Sequence, residues 1–166
     1  MNKPISQADI LSTEKIKQIK AIMTDALKKA YKRDGCMFPA LYVFHFASGE
    51  LQINSFNLTE AQYDRRTLAA MMAVIKSYCK SVNAIGVVST NECMYHLFGK
   101  DDHRDVPTDG EMSDGIHIQF ETAFSFEIDI YRRSIIDGEL EFVDTLRPQK
   151  MSAGFVMFIY NMPCEN

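Results

Sequence analysis

Residues 116–130 form the most regular stretch of the chain, and they read Ile116-His117-Ile118-Gln119-Phe120-Glu121-Thr122-Ala123-Phe124-Ser125-Phe126-Glu127-Ile128-Asp129-Ile130. Apolar residues and one threonine take every second position, and mostly polar residues lie between them. Only a β-strand places two such sets on opposite faces. The run is longer than a typical strand, so we expect a bulge or sharp bend near Thr122 and Ala123.

Two helices and three strands are predicted before this stretch. Ser12 or Thr13 can cap a first helix, whose apolar residues recur at helical spacing until Gly35. Strand formers at 41–46 and 51–56 flank a turn at 47–50, which predicts a hairpin. Thr59 and Gln62 resemble a capping box that opens a second helix ending near residue 81, and 84–89 is a short apolar strand.

Two further strands are predicted after the stretch. Asp137-Gly138 is typical of a two-residue hairpin turn and returns the chain along 139–143. A last apolar run at 155–160 is the expected edge strand, through which the chain can form a homo-oligomer. Residues 99–115 have no periodicity, are rich in acidic residues and contain Pro107, so we expect a long polar loop there.

The element order α-β-β-α-β-β-β-β predicts an α+β fold in a single globular domain, 1–166. Strands and helices do not alternate regularly, which favours an antiparallel or mixed sheet of five to six strands with two helices on one face. The acidic positions of the long strand then lie on the opposite, partly solvated face. On this facing, Phe120→Asp should destabilise the domain strongly, whereas Glu121→Lys should be nearly neutral.

Composition indicates a folded, intracellular protein. The 166 residues are 46% hydrophobic and 24% charged, which is ordinary for a globular domain. No apolar run approaches the roughly 18 residues that cross a bilayer, and the N-terminus lacks an apolar signal segment. We therefore expect a cytoplasmic protein with no membrane association. The four cysteines are widely scattered, so in that compartment they should stay reduced.

Charge is distributed unevenly along the chain. Residues 1–33 carry eight lysines or arginines against three acidic residues, whereas 91–145 carry four against fourteen. This asymmetry indicates a dipolar surface that can orient a partner. The formal net charge of −4 and the lack of a recognition motif argue against nucleic-acid binding.

A resemblance rests on the order of these elements. The strand at 84–89 leads into Glu92-Cys93-Met94-Tyr95, a polar loop follows, and a long alternating strand ends in Arg132-Arg133. In this pattern the chain resembles small uncharacterised α+β proteins of phages and prokaryotic mobile elements, over roughly its middle two-thirds. The resemblance implies an accessory or host-defence-modulating role and supplies no catalytic residues.

A metal site is the sharpest chemical alternative. Cys93 and His96 form a Cys-x-x-His pair, and His103 could complete a shell for a divalent metal with one of the neighbouring aspartates. Structural zinc sites usually have two well-spaced pairs, and this sequence has one. The alternatives are therefore a small metal-dependent hydrolase centred on these three residues, or a strand-end cysteine beside two exposed histidines.

The main hypothesis is a non-catalytic interaction protein that needs no cofactor. The sequence lacks a Gly-x-Ser-x-Gly nucleophile elbow, and it lacks the glycine-rich phosphate loops. The acidic residues of the loop and of the long strand are the predicted protein-binding residues: Asp101, Asp102, Asp105, Asp109, Glu111, Glu121, Glu127 and Asp129. A third hypothesis is a small-ligand-binding domain lined by Tyr42, Phe44 and Tyr131.

Overall fold

The structure is a computed structural model, and it describes residues 13–61, 64–96, 110, 112–122 and 126–146. Two helices are present in these ranges, α1 (Thr13–Asp34) and α2 (Arg65–Ser81). The strands are β1 (Ala40–Ala47), β2 (Glu50–Asn57), β3 (Gly86–Tyr95), β4 (Ser113–Thr122), β5 (Phe126–Arg133) and β6 (Leu140–Leu146). No helix in the described ranges is long and apolar enough to cross a membrane.

The six strands form one sheet in the order β2-β1-β3-β4-β5-β6, and every neighbouring pair is antiparallel. The predicted α+β class, the predicted number of five to six strands and the predicted element order are therefore confirmed. Most of the predicted loop at 99–115 and all of the predicted edge strand at 155–160 lie outside the described residues.

Local signals in the sequence explain where the elements begin and end. α1 ends where Gly35 adopts a positive φ and its N–H donates to the carbonyl of Tyr31 at 2.7 Å. Ser48 and Gly49 both have positive φ, as the two central residues of a tight hairpin turn require, and they join β1 to β2. α2 begins later than the predicted capping box, because the Asp64 carboxylate caps the amides of Arg66 and Thr67.

The two helices pack on opposite faces of the sheet, which corrects the prediction that they share one face. Leu41 and Val43 of β1 pack with Ile75 of α2, whereas Phe44 packs with Leu27 of α1. Successive side chains of a strand point to opposite faces, so these contacts place α1 and α2 on different sides. The sheet therefore has an α1 face and an α2 face, each defined by the helix that packs on it.

The regular stretch 116–130 is two strands, not the one bent strand that we predicted. β4 ends at Thr122, the chain reverses before Phe126, and β5 returns antiparallel. Ile118 pairs with Asp129 and Phe120 pairs with Glu127. Even-numbered residues of β4 therefore lie on the same face as odd-numbered residues of β5. The apolar residues of β4 and the acidic residues of β5 thus lie on one face, whereas a single strand would place them on opposite faces.

The hairpin at Asp137-Gly138 is confirmed, but its turn is larger than two residues. β5 ends at Arg133 and β6 begins opposite it at Leu140. The Ser134 N–H donates to the Glu139 carbonyl at 2.8 Å, and the Gly138 N–H donates to the Ser134 carbonyl at 3.0 Å. The wider turn leaves residues 135 and 136 at the end of the hairpin.

Candidate interaction surfaces

A charged cluster joins α1 to β5 and β6 on the α1 face. The Lys20 ammonium lies 2.7 Å from Glu127 Oε2 and 3.0 Å from Asp129 Oδ2. The Thr145 hydroxyl donates to Asp129 Oδ1 at 2.7 Å, and the Lys20 ammonium lies 5.0 Å from the centre of the Phe120 ring. The two carboxylates are held on this face because β5 pairs with β4 in the register described above.

The electrostatics of this cluster indicate a structural role. Burial acts to lower the pKa of Lys20, but hydrogen bonds and charge attraction from Glu127 and Asp129 outweigh it and raise the pKa above the ordinary value. A lysine that acts as a nucleophile needs the opposite shift. Lys20 therefore stays cationic and ties the helix to the sheet.

A trough of about 360 Å³ lies over the β3–β6 half of the sheet, largely on the α2 face. The buried apolar residues that pack with α2 come from β1, β3 and the segment before β3, and in the described ranges none of these apolar residues comes from β4, β5 or β6. The trough combines polar side chains with apolar ones. Its lining residues are Cys93, Met94, Tyr95, His96, Met112, His117, Gln119, Ile128, Ile130 and Leu146.

Burial favours the neutral forms of two ionisable groups in this trough. It lowers the pKa of His117 and raises the pKa of the Cys93 thiol. Deeper on the α2 face, burial and the nearby charge of Glu121 raise the pKa of Cys79 to about 11. Burial in the trough therefore favours an uncharged imidazole and an uncharged thiol, and it disfavours the thiolate that nucleophilic chemistry needs.

Glycine is required at one point beside the trough. Gly115 lies opposite Cys93 in the β3–β4 ladder. A Cβ atom at this position would lie 2.6 Å from the ring of Tyr95 and 3.0 Å from the backbone oxygen of Tyr131. The missing side chain thus allows the Tyr95 ring to lie across β4 at one end of the trough.

The end of the β5–β6 hairpin carries two adjacent isoleucines, Ile135 and Ile136, which we call the tip. Both are essentially fully exposed. Local hydrogen bonds order the surrounding turn, because the Ile136 N–H donates to Ser134 Oγ at 3.3 Å and the Glu139 N–H donates to Asp137 Oδ1 at 2.9 Å. Turns favour small and polar residues, so an ordered turn that exposes two large apolar side chains is unusual.

Most of the basic side chains near the tip form ion pairs with acidic side chains. Lys32 forms an ion pair with Glu139, which brings the end of α1 beside the hairpin. Arg132 lies 3.0 Å from Glu141 on the neighbouring strand. The hairpin end therefore has little excess charge with which to attract a phosphate backbone or an anionic surface.

The predicted site residues are only partly brought together. Cys93 and His96 both line the trough, while His103 lies outside the described residues, and the described ranges contain no group of three side chains that could hold a metal. The predicted loop residues also lie outside those ranges, namely Asp101, Asp102, Asp105, Asp109 and Glu111. Glu121 is buried on the α2 face, so it does not share a surface with Glu127 and Asp129.

The proposed ligand-lining residues Tyr42, Phe44 and Tyr131 belong to the core under α1 and do not line the trough. The sequence does not predict His117 as a site residue, because a polar side chain at this position of an alternating strand is expected to face solvent. The sequence does not predict the tip, because a two-residue turn at Asp137-Gly138 would place residues 135 and 136 in the paired strand before the turn.

No protein-family model, no curated protein and no solved structure matches this chain.

Proposed function

We propose that the protein is a non-catalytic interaction protein that binds a protein partner through the Ile135–Ile136 tip. The exposure of these two side chains on an ordered turn is the observation that carries the proposal. Burying one such side chain is worth roughly 1.5–3 kcal/mol. A partner with an apolar cleft would gain that free energy twice, and the turn is already ordered before binding.

The chemistry of the described side chains supports binding over catalysis. Cys93 is held as a thiol, His117 as a neutral imidazole and Lys20 as a paired cation. The thiol and the paired cation are the forms that do not act as nucleophiles, whereas a neutral imidazole is the form that accepts a proton or binds a metal. The metal-dependent hydrolase therefore stays the alternative, and it depends on His103 joining Cys93 and His96.

Site-specific photo-crosslinking tests the proposal. A benzoylphenylalanine replaces Ile136 in one variant and Val74 in a control, inside cells that naturally make the protein. Val74 is 65% exposed on α2, far along the chain from the tip. We expect a protein adduct from position 136 and none from position 74. Equal labelling at both positions, or no adduct at 136, would show that the tip is not a partner site.

A second candidate function is the binding of a small neutral ligand in the trough. Its volume of about 360 Å³ lies within the range of roughly 300–1,000 Å³ that is usual for ligand sites. Because the lining favours uncharged groups, neutral nucleosides should raise the melting temperature more than the corresponding nucleotides. A protein that responds to neither class, or to the charged class alone, would remove this candidate.

A further inference from the structure

We propose that the trough receives the Ile135–Ile136 tip of a second copy of this chain, so that two copies pair reciprocally. This inference rests on the function proposed above and names the partner. It joins two features of the described chain that are otherwise unexplained. One is an apolar projection, and the other is a recess with apolar walls that has no aspartate, glutamate, lysine or arginine among its lining residues.

The chemistry of the two surfaces matches. Ser134, Ile135 and Ile136 carry no charge, and the trough favours the neutral forms of His117 and Cys93. A charged segment would lose its hydration in such a recess without gaining a charged partner. An uncharged apolar segment carries no such cost.

The placement of the two surfaces suits a two-fold pair. β5 contributes Ile130 to the trough and ends at Arg133, and the tip follows directly. β5 and β6 stay paired up to Arg133 and Leu140, which holds the tip beyond the end of the strands. When projection and recess lie near each other on one molecule, a two-fold axis lets each copy fill the recess of the other.

One pair of charges beside the two surfaces is complementary. Arg133 is exposed at the base of the tip, and Asp144 is exposed on β6. Asp144 pairs with Ile130 in the β5–β6 ladder, so it stands beside the trough. In a reciprocal pair the base of each tip brings a cation towards an acidic residue of the other copy, which favours this pairing over a like-charged contact.

Sedimentation of the purified full chain tests the inference. We expect a concentration-dependent dimer, and we expect Ile135→Ser with Ile136→Ser, which together remove four isoleucine side chains from the dimer, to weaken it by roughly ten-thousandfold or more. Leu146→Arg places a charge in the trough at a side chain that is 45% exposed, so it should weaken the dimer without unfolding the chain. Val74→Ser and Ile53→Arg are the matched controls, at 65% and 44% exposure, and should leave the dimer unchanged.

Mixing the two variants gives the sharper result. The tip variant keeps an intact trough, and the Leu146→Arg variant keeps an intact tip. The two should therefore associate with each other more tightly than either does with itself. Failure of the mixture to associate would overturn the inference, as would a wild-type dimer that both variants leave intact.

A wild-type chain that stays monomeric at every concentration would also overturn it. If position 136 nevertheless crosslinks to a different protein, the proposed function survives and only the second copy is rejected as the partner.

Discussion

Asp129 connects three elements through one carboxylate. It is 4% exposed and accepts hydrogen bonds from Lys20 of α1 and Thr145 of β6. Replacing it with alanine leaves Lys20 with Glu127 alone and should lower the free energy of unfolding by about 2–3 kcal/mol, the usual worth of a charge-assisted hydrogen bond that is shielded from water. Urea denaturation measures this.

Asp25→Ala is the control for that substitution. Asp25 forms an exposed ion pair with Lys29 one helical turn away, and such pairs contribute within about 0.5 kcal/mol. Equal losses for the two variants would mean that the Lys20 cluster is a surface feature.

His117 gives the fold a dependence on pH. Burial lowers its pKa below the ordinary value of 6.5, so at lower pH the unfolded chain binds more protons than the folded chain. The stabilisation is complete above pH 6.5 and should decrease as the pH falls below it. His117→Gln should flatten this part of the stability profile. An unchanged acid slope in the variant would assign the effect to other groups.

Phe120 and Glu121 show which part of the burial of single residues the sequence predicts. The sequence placed Phe120 in the core, and it is buried there. It placed Glu121 in solvent, but Glu121 is 5% exposed and close enough to Cys79 to raise the pKa of that thiol. Alternation indicates which residues share a face of the sheet, but it carries no information on whether a helix covers the second face.

The structure therefore reverses one of the two mutational expectations. Phe120→Asp and Glu121→Lys should both destabilise the domain, each by several kcal/mol, because each leaves a new charge in a buried position. Thermal and urea unfolding of the two variants measure this. If the Glu121→Lys variant had wild-type stability, that result would indicate that Glu121 lies on a solvated face of the sheet.

At the scale of the elements, the reversal between β4 and β5 has almost no signal in the sequence. The residues from Thr122 to Phe126 include no glycine, proline or asparagine, and the alternation continues through them. The excess length of the run was the single clue, and it predicted a disruption near Thr122 and Ala123, which is where β4 ends. The exchange of faces depends on the pairing register, which spacing alone does not specify.

The β5–β6 turn depends on Gly138, whose φ is +69°. Alanine at this position should cost roughly 1–2 kcal/mol, because a Cβ atom disfavours the left-handed conformation. Gly138→Asn should cost less, since asparagine adopts this conformation more readily. The melting temperatures of the two variants test the order. If alanine is tolerated as well as asparagine, the turn has a different backbone from the one described.

At the scale of the whole molecule, one feature of the sequence indicates that helices cover both faces of the sheet. Residues 41–46 of β1 are almost continuously apolar, which is typical of a strand that is covered on both faces. Leu41 contacts the cluster under α2, and Phe44 contacts the cluster under α1. The non-alternating order of helices and strands predicted the fold class correctly, but it carries no information on which face a helix covers.

The uneven charge of the chain is partly satisfied within the molecule. The basic segment forms α1, and the acidic segment includes β5 and β6. Lys20 and Lys32 of the helix pair with Glu127 and Glu139 of that acidic segment. The predicted dipolar surface is therefore reduced, and the exposed isoleucines become the stronger indication of a partner.

The charged cluster and the trough both depend on the chain reversal between Thr122 and Phe126, because it places Asp129 against α1 and Ile130 in the trough. Cross-strand nuclear Overhauser effects measure that reversal directly. The structure predicts contacts that link Ile118 with Asp129 and Gln119 with Ile128. A spectrum that lacks these contacts, and that instead places Glu121 beside Lys20, would contradict the pairing and with it the charged cluster and the trough.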